Sequence, residues 1–328
     1  MTETEIPTTF KTKWIAGFWR RLIALNLDFL MLAILGYVLG LIFENIFIQI
    51  GAWGRVIGFL IALSYFTLMN SNYFNGQTIA KRFLKIKVVD YQNNLLAINK
   101  SFARSAILTV PFFMNGAIFN QKIIDSLLIY PITMIVFGGF FSIIYLYVFN
   151  KLTRQSLHDL AIKTYVVNVE VEPQKVGQVW SKHFIIVALI FLITLVAPVF
   201  TSILNPKLDS KLTQSESYKN LAATQKAILN NQNVITATVY QGTNIFTPSD
   251  KNQASKTTSR IQIQAFIVTK DTSNVAFAKK LALTVLDNIP EAKSTDVIQI
   301  TLARGYDIGI WSQSSNFTHT FKPSELLN

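Results

Sequence analysis

Residues 16–43 read AGFWRRLIALNLDFLMLAILGYVLGLIF, and the fold turns on how that run is taken. As a helix it is long and apolar enough to cross a hydrocarbon core of about 30 Å. It carries an arginine pair, Arg20 and Arg21, at its start and a carboxylate, Asp28, inside it. An ionisable residue at membrane depth is costly, so it is read first as a functional site. Arg21, Ala24 and Asp28 stand at i, i+3 and i+7 and share one helical face, with Asp28 roughly 10 Å further along the axis.

Composition agrees with a membrane protein. Of the 328 residues, 51% are hydrophobic and 15% charged, and there are 25 Phe. A soluble domain averages nearer a quarter charged. With no cysteine, disulfides, zinc–thiolate sites and iron–sulfur clusters are excluded. The formal charge of +12 is read as loop lysines and arginines that set topology. No nucleic-acid-binding motif accompanies it. Glu3 and Glu5 stand where a signal peptide carries basic residues, so residues 1–13 are expected to be a cytoplasmic tail.

Working outward, five spans are expected: about 22–43, 56–69, 105–119 (shortened and kinked by Pro111), 126–149 and 184–204. Two polar stretches separate them. Residues 70–104 carry Lys81, Arg82, Lys85, Lys87, Lys100 and Arg104; residues 150–182 carry Lys151, Arg154, Lys163, Lys175 and Lys182. The opposite connections offer Arg55 and Lys122, with Asp125 read as an outside-loop charge. That asymmetry puts the N-terminus and both basic loops in the cytoplasm. Five spans then leave the C-terminus outside; if 105–119 does not cross, residues 205–328 fall inside. FLKIKVVDYQNNLLAI alternates, breaks at Gln92-Asn93-Asn94 and resumes, which predicts a small cytoplasmic hairpin.

Past Asn205 the composition changes, and residues 205–328 read as a small α+β domain with the order α-β-β-α-β-β. Helices are expected at 217–229 and 273–288, the latter burying Val275, Ala278, Leu281, Ala282, Val285 and Leu286. Strands are expected at 233–241, 260–269, 296–303 and 307–311, with a loose polar loop over 243–259 and a turn at Arg304-Gly305-Tyr306. The fold class is mostly α: a multi-pass helical bundle of about five spans followed by this domain. Its parts are the tail 1–13, a transmembrane domain 14–168, a linker and last helix 169–204, and an extracytoplasmic domain 205–328.

Three runs carry a family resemblance: AGFWRRLIALNLDFL, NGQTIAKRFLKIKVVD and RQSLHDLAIKTYVV. Over residues 14–168 the chain resembles the RDD family of multi-spanning prokaryotic membrane proteins, named for an arginine and two aspartates. By motif these fall on Arg21, Asp28 and Asp159. Gly76, Thr78, Lys81 and Arg82 match the family's glycine-rich basic turn, and Ala80 stands where a second glycine is frequent. The resemblance implies a cluster of Arg21, Asp28 and Asp159 at the cytoplasmic mouth. It also implies, for some members, cation–proton antiport.

Read from the residues alone, Arg21 and Asp28 fit three roles: an interfacial arginine with a hydrogen-bonded acid, a structural ion pair, or a proton and cation relay. Asp159 reads as a helix cap or a partner of Arg21, Arg154 or Lys163; His158 beside it reads as a proton shuttle. Lys81, Arg82, Lys85 and Lys87 form a basic turn expected to contact anionic lipid, at about 1 kcal/mol per residue. Tyr306 and Trp311 read as core packing at a strand end, with a binding edge as the alternative. No catalytic motif is present, so no enzyme activity, cofactor or metal is expected. The leading function is proton-coupled transport of Na⁺, Li⁺ or K⁺. The alternative is a membrane-anchored scaffold or sensor whose domain 205–328 binds an envelope protein or a second copy of the chain. The bilayer is a partner in both.

Overall fold

The computed structural model describes residues 13–117, 121–124, 126–204, 215–246 and 256–327. The expected tail over 1–12, Asp125, the helix stop at Pro206 and the middle of the loop expected over 243–259 lie outside the described residues. The chain forms two compact units. One gathers Met1–Val38, Arg55–Thr201 and Ile308–Trp311; the other gathers Leu39–Gly54, Ser202–Asp307 and Ser312–Asn328.

α1 (Phe18–Ile50) starts in the first unit and from Leu39 on belongs to the second, as does the 3-10 turn at Gly51–Trp53; α2 (Gly54–Met69) returns the chain to the first unit from Arg55 on. Leu32 on α1 packs in one cluster with Ala62 and Phe66 on α2, and Phe29 meets Phe66 edge to face. These helices therefore lie antiparallel as a hairpin. A loop leads to α3 (Ile79–Phe83) and β1 (Ile86–Asp90). Gly76 in that loop has φ +68°, and a Cβ there would sit 2.4 Å from the Val88 carbonyl oxygen, so only glycine lets the loop lie against β1. Next come α4 (Ile98–Met114), the short α5 (Gln121–Ile124), and a continuous helical stretch made of α6 (Ile129–Thr133), a π-helical turn (Met134–Gly138) and α7 (Gly139–Phe149). Then follow α8 (Leu157–Ile162), β2 (Thr164–Asn168) and α9 (Ser181–Leu204).

Among the described residues, three helical stretches are long and apolar enough to cross a membrane: Phe18–Met69, which is the α1–α2 hairpin, Ile129–Phe149 and Ser181–Phe200. These stretches cover four of the five expected spans, 22–43 and 56–69 in the hairpin, 126–149 and 184–204; the span expected at 105–119 falls in α4. α4 is not among the three. It has 17 residues, and it gives one face to Ser101, Arg104, Ser105 and Thr109, all buried. Elsewhere large apolar side chains face outward, among them Leu30, Ile34, Ile185 and Ile193, as on helices solvated by lipid.

The hairpin expected after Lys85 does not form. β1 pairs antiparallel with β2, seventy-odd residues later, with Val88 opposite Val166. Ile15 bridges to Val167 on the far side. Val88, Val89, Val166 and Val167 are all buried, so this ribbon is covered on both faces, which a local hairpin could not provide. Residues 95–97 instead lead into α4, with Leu96 turned into the core.

The second unit contains α10 (Glu216–Leu229), β3 (Val234–Phe246), β4 (Lys256–Ile267), α11 (Val275–Asn288), β5 (Val297–Asp307), β6 (Ser312–Phe321) and α12 (Pro323–Leu326). The order α-β-β-α-β-β is as expected, with α12 added. The sheet order is β3-β4-β5-β6, with β4 and β5 parallel and the outer pairs antiparallel. Alternate residues of β4 and β5 (Ile261, Ile263, Ile298, Ile300) bury against Leu281, Ala282 and Val285 of α11. Val275, expected inside, is 60% exposed at the first turn of α11. Arg304-Gly305-Tyr306 lies within β5, where Gly305 admits the close backbone of β6; Tyr306 is buried. The reversal comes instead at Ile308–Trp311, with Gly309 at φ +78°. Trp311 sits edge to face with Tyr37.

Candidate functional site: a buried ion cluster

Asp28 is fully buried and accepts three hydrogen bonds. Tyr65 on α2 donates through its hydroxyl to Oδ1 (2.7 Å), and Thr78 donates to Oδ2 (2.6 Å). The backbone N–H of Ala80 donates to Oδ1 (3.3 Å). Thr78 is the N-cap of α3 and also accepts from the Lys81 N–H. Asp28 therefore anchors the start of α3 and fixes where Lys81 sits.

Asp159 is the second buried acid. Arg21 donates through Nη2 to Oδ2 (2.7 Å), and Arg104 donates through Nη2 (2.6 Å) and Nε (3.0 Å) to Oδ1. Thr164 and the Ser156 N–H complete its shell, the latter as half of a capping box on α8. Burial alone would raise the Asp159 pKa, but Arg104 foremost among the neighbouring charges outweighs it. The carboxyl is held well below the usual carboxylate range.

His158 is buried with Nε2 3.6 Å from Asp159 Oδ2. Burial pushes its pKa down to about 3, against the pull of Asp159, so the imidazole is neutral at neutral pH. The histidine expected to shuttle protons is thus a buried ring beside Asp159. Lys81 differs from expectation. Its stem is partly exposed, but its ammonium turns inward to donate to the side-chain oxygen of buried Asn70. Burial, followed by repulsion from Arg104, lowers its pKa to about 7. Lys81 is therefore no lipid anchor. Arg82 and Lys85 are exposed, Lys85 pairing with Glu170, and Lys87 is half-buried on β1.

These groups surround a cavity of about 60 Å³, lined by Arg21, Asp28, Asn70, Lys81, Arg104 and His158, with Ser105 and Tyr147 beside them. The volume is enough for a few water-sized bodies. The Arg21 guanidinium lies 5.2 Å over the Tyr147 ring. Of the expected trio, Arg21 and Asp159 are joined directly, while Asp28 shares the cavity but takes its hydrogen bonds from α2 and the start of α3. Residues 15–163 match the family model that describes the RDD family. They form an RDD family domain. No curated protein and no solved structure matches the chain.

Sequence reasoning missed Arg104, Asn70 and Tyr65. Arg104 resembles one more loop cation, because it follows Lys100 in a polar stretch and precedes the apolar run. The available signal was helical phase: Ser101, Arg104, Ser105 and Thr109 recur at i, i+3, i+4 and i+8, a polar stripe that a lipid-facing helix would not carry.

Proposed function

We propose that the RDD domain is a proton-coupled transporter of a small monovalent ion, with the buried cluster as its working part. Lys81 carries the reading. It is a cation turned into a small cavity walled by charged groups and by apolar side chains such as Leu108 and Ile143, with an affinity that lets it gain and lose a proton near neutral pH. The two acids hold the frame: Asp28 positions the turn that bears Lys81, and Asp159 ties Arg21 to Arg104. The family resemblance supplies the antiport form, with Na⁺, Li⁺ or K⁺ moving against H⁺. The setting that fits is a bacterial inner membrane with the N-terminus inside, α4 crossing as a fifth span, and residues 205–328 outside. The chain is read as a transporter and not an enzyme.

The test is reconstitution in vesicles with an internal pH dye and imposed Na⁺, Li⁺, K⁺ or anion gradients. Ion-driven pH change that disappears in Lys81→Gln and Asp28→Asn supports the reading. A pH trace indifferent to every gradient, from folded protein, overturns it.

A specific observation favours the second reading, a scaffold or sensor. Every carboxylate oxygen of the cluster is already satisfied within the protein, as in a structural core. In that case deleting residues 205–328 abolishes the cellular role, whereas Lys81→Gln leaves it intact. The domain 205–328 then engages an envelope protein or a second copy of the chain.

A further inference from the structure

The cavity of the RDD domain is unbalanced in charge. Arg21, Lys81 and Arg104 face it or its frame with three positive charges, against two negative charges on Asp28 and Asp159. His158 is neutral, and Tyr65 and Tyr147 are phenols. With Lys81 protonated, one positive charge is left over in a buried place, where an uncompensated ion is expensive.

The oxygens that would receive a cation are occupied. Asp28 faces Tyr65, Thr78 and the Ala80 N–H, and Asp159 faces two guanidiniums, Thr164 and the Ser156 N–H. Three polar atoms of cavity-lining residues stand differently. Ser105 Oγ, the Tyr147 hydroxyl and His158 Nδ1 are buried and have no hydrogen-bond partner among the described residues. Hydroxyls can donate to an anion as readily as to water. Excess positive charge, saturated carboxylates and idle hydroxyls together describe a receptor for negative charge.

We propose that this cavity binds a small monovalent anion of the chloride class, held by the field of Arg21, Arg104 and Lys81 and by the Ser105 and Tyr147 hydroxyls, and that the anion and the proton on Lys81 occupy the site together. The balance is simple. A neutral amine, one proton and one halide become an ammonium and its halide; only an N–H bond forms, and the net charge of the protein with its ion is unchanged. Saturation of the cavity is then electroneutral. The inference rests on the transport reading above only for its consequence, which becomes co-transport of proton and anion in place of exchange against a cation. Binding stands without it.

Linkage gives the test. An anion that prefers the protonated site must raise the apparent pKa of Lys81, and tenfold preference raises it by about one pH unit. Intact purified protein is labelled with an amine-reactive reagent across pH 6–10, and the Lys81 peptide is quantified by mass spectrometry with exposed Lys151 as internal reference. The series is run in sodium chloride, sodium gluconate and choline chloride at equal ionic strength. The expected result is a Lys81 midpoint about one unit higher in both chloride salts than in gluconate, saturating with chloride and reduced in Ser105→Ala. Equal midpoints in all three salts overturn the proposal, as does a midpoint that follows sodium instead of chloride. In the vesicle assay, a chloride shift without any proton flux keeps the anion site and removes the transport reading. Cation-driven flux with no chloride shift does the reverse.

Discussion

The two units of this chain bury opposite things. In the sheet unit the interior is aliphatic: Ile261, Ile263, Ile298, Ile300 and Leu281 are enclosed, and polar residues such as Ser312, Gln313, Ser314 and Ser315 face out. In the helical unit Arg21, Asp28, Arg104, His158 and Asp159 are enclosed, and Leu30, Ile34, Leu189 and Ile193 face out. The same physics yields both patterns once the surroundings differ. Water drives apolar groups inward. A hydrocarbon surrounding gives apolar groups no such push and leaves polar groups with only each other as partners. The lesson is about what fails when a buried residue is removed: a void in one unit, a stranded charge in the other.

The largest effect is expected at Asp159. Asp159→Ala strips the counter-charge from both Arg21 and Arg104, and breaking a buried pair in this way costs about 3–5 kcal/mol. It also removes the cap on α8. In detergent, the helical unit of the variant should melt far below the unchanged protein, and Asp159→Asn, which keeps the shape, should fall between. If Asp159→Ala melts with the unchanged protein, the cluster is not what holds these helices.

Next is the void. Ile263→Ala in β4 should cost about 2–5 kcal/mol, the usual loss for a large aliphatic truncated in a closed core. Hydrogen exchange read along β4 and β5 should accelerate. Acceleration in α1 and α2 of the same size would mean that the contrast between the units has been drawn too sharply.

The contrast also explains what the sequence made legible. Arg21 and Asp28 stood out because an ion in or beside an apolar run needs a reason, whereas Asp159 joined them only through the family resemblance. The α-β-β-α-β-β order stood out because period-2 and period-3.6 patterns survive where one face meets water. Arg104 and Lys81 did not stand out. A lysine or arginine just outside a span has the same local signature whether it reaches lipid phosphate or turns inward, and only the placement of Asn70 and Asp159 decides. The β1–β2 pairing was illegible for a related reason: four buried valines point to coverage on both faces but not to the partner that supplies it. The last strand was expected at 307–311 and lies at 312–321 instead: β6 is rich in Ser, Asn and Thr, and its strand geometry comes from pairing with β5 and not from its own composition.

A third expectation sharpens the comparison through pH. Lys81 in the fold has a pKa of about 7, lowered from the ordinary lysine value near 10.5, so between these values the unfolded chain binds more protons. Stability should therefore rise as pH increases from about 7 toward 10. The penalty for the buried ammonium is fully present below that window and is relieved through it. In chloride-free buffer, the melting temperature of the helical unit should climb between pH 7 and 9, and Lys81→Gln should flatten the climb. His158, held down to about 3, carries the same sign lower on the scale: stability should fall as pH drops from about 6.5 toward 3. A falling curve above pH 7 in the unchanged protein would contradict the placement of the Lys81 amine.

The smallest effect is expected where an ion pair faces water. Lys85 and Glu170 meet at 2.7 Å, closer than many buried contacts, but their side chains are 66% and 69% exposed. Such a pair trades hydration for a screened attraction and the ordering of two long side chains, and is worth about 0–1 kcal/mol. Glu170→Gln should leave the melting temperature nearly unchanged in moderate salt, in contrast to Asp159→Asn, although both remove one carboxylate charge from an arginine or lysine partner at the same distance of 2.7 Å. With the nearest charged contact at equal distance, the difference between the two variants reports burial together with the second guanidinium and the capping box that only Asp159 serves. Similar losses from both would mean that the Asp159 site is open to water in the fold, against its burial.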